Sequence, residues 1–347
     1  PQLESLNAQL MQIVKQDEGQ LLDRLLAHAQ DNAPEDAKSA TRAAYVMAIL
    51  TAIAQRFEEA DKWFETTRRL APAANVQRCS NWGRRMYQAK RFPQAAVAFR
   101  AALKAQTNQD KQPLLYLLLA DALVSDQQVE PALQAVRKSI EIKPDQFVAQ
   151  SHIPWVLYRG KRYDDAKRQY LAFLDKFDSR FDNDQIRRIC RQARFILSTL
   201  ALREGDFSSA ERWLEEILDE FPEDIGAFND LGYLWADQNK HLARSLLMVK
   251  RAVAAEPNNA AYRDSLGWVY YRLGQFRQAV VELEKAVAQT ADGVILDHLG
   301  DAYLKLEHLE KAQATWERAL AVFKAENNLQ QIESVQTKLR QFRTTDT

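Results

Sequence analysis

Leu-Gly recurs at Leu231-Gly232, Leu266-Gly267 and Leu299-Gly300, at intervals of 35 and 33 residues and in matching surroundings. A polar pair precedes each one: Asn229-Asp230, Asp264-Ser265 and Asp297-His298. After Gly267 come Tyr270-Tyr271, a turn at Leu273-Gly274-Gln275, and then Phe276, Ala279, Leu283 and Ala286. The next stretch repeats this with Leu306, Leu309, Ala312, Trp316 and Ala319. A chain of such copies folds as a stack of small units, because no single copy can bury its own apolar face. Within each copy the apolar residues return every three or four positions, as on a helix face, and never alternate as in a half-buried strand. The expectation is roughly fourteen to eighteen antiparallel helices and no sheet.

The same phase runs back toward the N-terminus through Phe207, Ala210, Leu214 and Pro222, then Tyr163, Ala166, Tyr170 and Phe173. Val129, Ala132, Val136 and Pro144 continue it, followed by Phe92, Ala95, Phe99 and Ala102, and by Phe57, Ala60, Phe64 and Pro72. Eight units result, at 41–74, 76–109, 113–146, 147–180, 191–224, 225–259, 260–292 and 293–326. Leu-Gly on a first helix, Ala-x3-aromatic on a second and a closing Pro resemble the tetratricopeptide-repeat (TPR) family, and the run from Asp264 to Gly274 looks like its bacterial members.

That resemblance covers most of the chain. It implies an all-α, right-handed superhelical α-solenoid of about eight helix-turn-helix units with a C-terminal capping helix. On this reading residues 1–40 are N-terminal helices forming a degenerate or capping unit, 41–180 hold units one to four, 181–190 are an irregular insertion, 191–326 hold units five to eight, and 327–347 are the capping helix and tail. Leu3, Leu6, Leu10 and Ile13, then Leu21, Leu22, Leu25 and Leu26, make an N-terminal apolar stripe, and 31–35 reads as a loop. Leu329, Ile332, Val335, Leu339 and Phe342 mark the capping helix.

The earlier units replace Leu-Gly with Met47-Ala48, Leu119-Ala120, Ile153-Pro154 and Leu197-Ser198. Ala or Ser still allows close helix approach. Pro154 removes a hydrogen bond, so a bent or late-starting helix is expected there. Asp182 or Asp184 is expected to cap a longer helix bearing Arg187, Arg188, Arg191 and Arg194, a basic face that reads as solvated or as a partner contact rather than a nucleic-acid site.

Composition excludes several functions. Lys plus Arg and Asp plus Glu number 47 each, so no net charge draws the chain onto nucleic acid or an anionic membrane. No apolar run reaches the length that spans a bilayer. Cys79 and Cys190 form no CxxC pair and read as small apolar side chains. The five His show no metal-ligand spacing, and no phosphate-binding loop or nucleophile elbow occurs, so neither cofactor, metal nor catalytic site is expected. The start at Pro1, without Met or a signal-like segment, reads as a mature form or a piece of a longer chain.

Function therefore comes from what the resemblance implies. In TPR proteins first helices line the concave surface, where a partner segment lies. The side chains at that phase here are Arg84 and Tyr87, Trp155 and Tyr158, Asn229 and Tyr233, Asp264, Trp268 and Tyr271, and Asp297 and Asp301, with Tyr45, Ile49, Asn81, Asp121, Phe195 and Thr199 beside them. Aromatic rings suit the anchoring of a bound chain. The aspartates in the C-terminal half suit a partner segment carrying a basic and an apolar residue. The family's two-carboxylate clamp for chaperone tails is missing, since Tyr233, Ser265, Val294 and His298 stand at its phases. The expectation is a non-enzymatic scaffold for a partner polypeptide, an envelope or periplasmic assembly factor or a cytoplasmic one; the alternative is the TPR arm of a multidomain enzyme or regulator.

Overall fold

The computed structural model describes residue 12 and residues 19–32, 34–71, 76–180 and 182–345. Leu3, Leu6, Leu10, Ile13 and Pro72, singled out above, lie outside them. The described residues form eighteen α-helices, one short 3-10 turn and no strand. In chain order they are α1 (Gln20–Asp31), α2 (Ala37–Ile53), α3 (Phe57–Leu70), α4 (Val76–Gln88), α5 (Phe92–Ala105), α6 (Gln112–Ser125), α7 (Val129–Ile142), α8 (Phe147–Arg159) and α9 (Tyr163–Phe177). There follow α10 (Asp184–Glu204), α11 (Phe207–Glu220), α12 (Ile225–Asp237), α13 (Leu242–Ala255), α14 (Ala260–Arg272), α15 (Phe276–Val287), α16 (Gly293–Lys305), α17 (Leu309–Ala325) and α18 (Leu329–Thr345). The chain divides into two compact units, Pro1–Ser179 and Arg180–Thr347.

From α2 to α17 the helices pair, each first helix packing on the second that follows it. Where the two touch, one side must be nearly bare. Ala60, Ala95, Ala132, Ala166, Ala210, Ala279 and Ala312 on the second helices are all fully buried, as is Ser245 in the remaining pair. From the other side, a Cβ on Gly83, Gly232, Gly267 or Gly300 would come within 2.6 Å of Phe99, Val249, Leu283 or Trp316 respectively. Ser198 takes the glycine's place in α10, and its hydroxyl donates to the Ala210 carbonyl across the pair at 3.0 Å.

One turn geometry joins every pair. Gln55, Lys90, Gln127, Lys161, Gly205, Asn239, Gly274 and Glu307 all have φ between 57 and 77°. The following amide reaches back five residues, as from Gln128 to the Leu123 carbonyl (2.9 Å) and from Gln275 to that of Tyr270 (2.9 Å). This is the Schellman closure of a helix end, for which glycine is best suited.

Several local expectations are corrected. Helix α8 runs from Phe147 through Pro154 to Arg159, so it does not start late. Proline's fixed φ is itself helical, so the loss is confined to one hydrogen bond inside a helix held by its neighbours. The cap of α10 is Asn183, whose side chain accepts from the amides of Gln185 and Ile186, rather than Asp182 or Asp184. In α1, Leu22 and Leu26 are buried against Met47 while Leu21 and Leu25 face outward. Helix α18 closes the C-terminal unit by placing Val335 and Leu339 in the core with Leu299, Trp316 and Phe323, but Leu329 is left exposed. Both cysteines are free and buried.

Candidate functional site

In the C-terminal unit the first helices α12, α14 and α16 pack side by side, and this sets the inward side chains against one another. Three clusters result. The first is a stack of rings. Trp268 lies parallel to Tyr271 (4.8 Å between centroids, 5° between planes) and to His298 (4.2 Å, 19°). The indole Nε1 donates to Asp237 Oδ1 at 3.2 Å, and only 8% of Trp268 is exposed. Expected to be an open anchor, Trp268 is largely enclosed.

The second cluster is a chain of charges. His298 Nδ1 and Asp264 Oδ1 are 2.9 Å apart and both side chains are buried. Burial alone would push the imidazole pKa down, but Asp264, with Asp297 and Asp301, overrides it and the pKa is raised. Lys338 of α18 places its ammonium 2.8 Å from Asp297 and 2.8 Å from Asp301, and Trp316 Nε1 donates to Asp301 at 3.2 Å. Burial raises the Asp301 pKa more than Lys338 lowers it, with Asp297 adding repulsion. Lys338 is raised as well, because its two carboxylates outweigh the burial that disfavours its charge. The two directions agree with one ammonium held between two carboxylates. Asp297 and Asp301 thus meet a cation supplied by this chain.

The third cluster surrounds an open cavity of about 460 Å³. Helix α10 and the residue after its turn supply an apolar wall of Phe195, Thr199, Leu202 and Phe207; α12 supplies Asn229, Asp230, Tyr233 and Asp237; α14 and α16 close it with Ala261, Asp264, Ser265 and Val294. Leu202 (41%) and Phe207 (44%) are exposed on this wall. Asn229 is 7% exposed, and its Nδ2 donates to Asp230 Oδ1 at 3.0 Å. Its Oδ1 is buried, with no hydrogen-bond partner among the described residues. Asp230 is exposed at its residue surface, yet the cavity walls desolvate its carboxyl and raise its pKa, against the Asn229 hydrogen bond and in concert with Asp224. Burial likewise pushes the Tyr233 hydroxyl up.

Of the eleven residues singled out from sequence, Asn229, Tyr233 and Asp264 share this cavity. Trp268, Tyr271, Asp297 and Asp301 belong to the adjoining ring stack and charge chain. The other four lie in the N-terminal unit. There Tyr87 bonds Ser125 Oγ (3.3 Å), Trp155 sits beside His152 (5.6 Å) and Arg159, Tyr158 meets Tyr163 edge-on, and Arg84 is exposed. Sequence reading missed Asp230, Asp237 and Lys338. Asp237 follows Tyr233 by one helical turn, a signal that was available; nothing marks Lys338 as the partner of residues about forty positions away.

Three of the four arginines on α10 are paired within the chain, while Arg188 is exposed. Arg187 and Arg194 bind Glu220 (2.8 and 3.1 Å) and Arg191 binds Asp224 (2.5 Å), with the Arg187 and Arg191 guanidinium groups over the Phe221 ring. Among the described residues no group of three His, Cys, Asp or Glu could hold a metal ion, and no helix is long and apolar enough to cross a membrane.

Comparison with known proteins accords with this geometry. Residues 81–147 and 155–225 match one tetratricopeptide-repeat family model, and residues 260–291 match another. The TPR repeat-containing protein PA4667 of Pseudomonas aeruginosa is 29% identical over 107 residues, or 31% of this chain, and the chain spans only 18% of that relative's length. Among solved structures, yeast Tom70 is similar over 90% of this chain and 66% of its own, with a TM-score of 0.52 and 16% identity. A tetratricopeptide repeat protein from Parabacteroides merdae is similar over 75% of this chain and 98% of its own, with a TM-score of 0.50 and 16% identity. Both likenesses are of fold.

Proposed function

Because the chain belongs to the tetratricopeptide-repeat family, a protein–protein interaction scaffold, we propose that it acts without catalysis by holding a partner polypeptide segment in the cavity between α10, α12 and α14. The observation that carries this reading is that one open cavity brings the exposed apolar side chains of Leu202 and Phe207 together with the exposed carboxylates of Asp230 and Asp237. The surroundings define the segment. Phe195, Leu202 and Phe207 accept an apolar side chain, while Asp230 and Asp237 face the same space and accept a Lys or Arg. Lys338 between Asp297 and Asp301 illustrates this mode within the chain itself. Because that pair has its cation, the partner's charge is assigned to the Asp230 side.

The test is site-specific photo-crosslinking in cell extract, with the reactive group at Phe207 and, as a control, at exposed Leu247 on α13. Segments trapped only from position 207 are expected to carry a basic residue close to an apolar one. Their synthetic peptides should bind Asp230→Asn/Asp237→Asn at least several-fold more weakly, with the loss shrinking as salt rises. Equal trapping from both positions, or affinity indifferent to the two aspartates, would place the binding surface elsewhere.

A further inference from the structure

Helices α2 and α4, the first two first-helices of the N-terminal unit, carry Lys38, Arg42, Arg78, Arg84 and Arg85 and neither Asp nor Glu. The whole chain is neutral, so this concentration is local. It is also organised around one ring. The Arg78 guanidinium lies 5.8 Å from the centroid of Tyr45 on α2, and Tyr45 rests against Phe64 at 6.4 Å. Arg85, two turns beyond Arg78 and so on the same face of α4, is half-buried. Burial raises the Tyr45 hydroxyl pKa, opposed by the positive charges of Arg85 and Arg78. Burial also lowers that of Arg85, opposed by Tyr45. Among the described residues no carboxylate pairs with Arg84 or Arg85. Arg84 projects into solvent one position away, and Arg42 stands one turn before Tyr45 on α2. Asp36, just before α2, accepts from the Ser39 amide as the cap of that helix.

A guanidinium stripped of part of its hydration and given no counterion is unfavourable in the free protein, and a carboxylate fits its fork of donors. We propose that this face of α2 and α4 docks an acidic segment of a partner polypeptide, its carboxylates meeting Arg84 and Arg85 and an apolar side chain lying beside Tyr45. A polypeptide fits better than a membrane surface, because Arg85 is half-buried beside Tyr45 rather than projecting into solvent as Arg84 does, and a single side chain approaches it more readily than a flat headgroup layer. This site is independent of the cavity at Asn229, and its ligand is of opposite charge.

A random twelve-residue peptide library displayed on phage, selected on the full chain, tests the proposal. Clones that bind the wild type and are lost on Arg84→Gln/Arg85→Gln should be rich in Asp and Glu. One such peptide, labelled and followed by fluorescence anisotropy, should lose at least ten-fold in affinity with the double variant and with the exposed single change Arg84→Gln a smaller but measurable part of it. Arg100→Gln, an exposed arginine on α5, should leave affinity unchanged. Circular dichroism melts establish that each variant is folded. The proposal is overturned if no arginine-dependent clone is acidic, if Arg100→Gln weakens binding as much as Arg84→Gln, or if vesicles containing phosphatidylserine bind with the same dependence on Arg84 while the peptides do not.

Discussion

A methyl group at Gly300 would stand 2.5 Å from both Cδ1 and Nε1 of Trp316 and 3.0 Å from Cε2. Carbon atoms in a packed interior sit about 3.5–4.0 Å apart, so the indole must retreat by roughly 1 Å. It has nowhere easy to go: Trp316 is 1% exposed, lies in the core that α18 closes, and donates its N–H to Asp301. Gly300→Ala gains about 1 kcal/mol of helix propensity. Against this stand overpacking, about 1–3 kcal/mol, and a hydrogen bond to a charged acceptor, about 1.5–3 kcal/mol if it is lost outright. The net expectation is destabilisation by about 2 kcal/mol, or about 4–8 °C for a compact unit of this size. Gly274→Ala separates crowding from backbone strain, since its φ is 74° and nothing lies within 4 Å of the added carbon. It should cost only about 1–2 kcal/mol, from the left-handed backbone alone. Thermal melts followed by circular dichroism and tryptophan fluorescence provide the comparison. A Gly300→Ala chain that melts within a degree of wild type, or with an unaltered tryptophan signal, would show that α16 and α17 do not meet through this contact.

Lys338→Met should cost about 3 kcal/mol at neutral pH by leaving Asp297 and Asp301 without their shared cation; melts at pH 7 and pH 5 should show the deficit shrinking as the raised Asp301 carboxyl protonates, and an equal deficit at both would refute the pairing. His298 has a folded pKa above its ordinary value of 6.5, so its contribution to stability is complete below that value and is lost as pH rises through the folded pKa. Wild type should therefore lose more stability than His298→Gln as pH is raised above 6.5, and parallel pH profiles would remove the Asp264 pair from the account. Gln127 holds a left-handed φ of 61°, and Gln127→Gly should raise the melting temperature by about 2 °C; a fall would mean that glycine's unfolded-state freedom outweighs the relief of the turn.

Much of the architecture is legible without coordinates because its causes are local. Helix periodicity, the alanine column on the second helices and the bare positions at Gly232, Gly267 and Gly300 are set by neighbours within a turn or a single helix pair, and all of these sit where the repeat phase puts them. The inward facing of Asn229 and Tyr233 follows from the same phase. Charge partners do not. Whether Asp297 and Asp301 wait for a foreign cation or already hold one depends on Lys338, brought in by the packing of α18. Likewise Arg187, Arg191 and Arg194 read as a solvated basic stripe until α11 and the start of α12 bring Glu220 and Asp224 against them. Trp268 at an inward phase reads as an anchor until His298 and Tyr271 close over its two faces. Helix phase tells which way a side chain points, since 3.6 residues per turn is a property of the local backbone; what it meets there depends on groups tens of residues away, and only the packed structure brings those together.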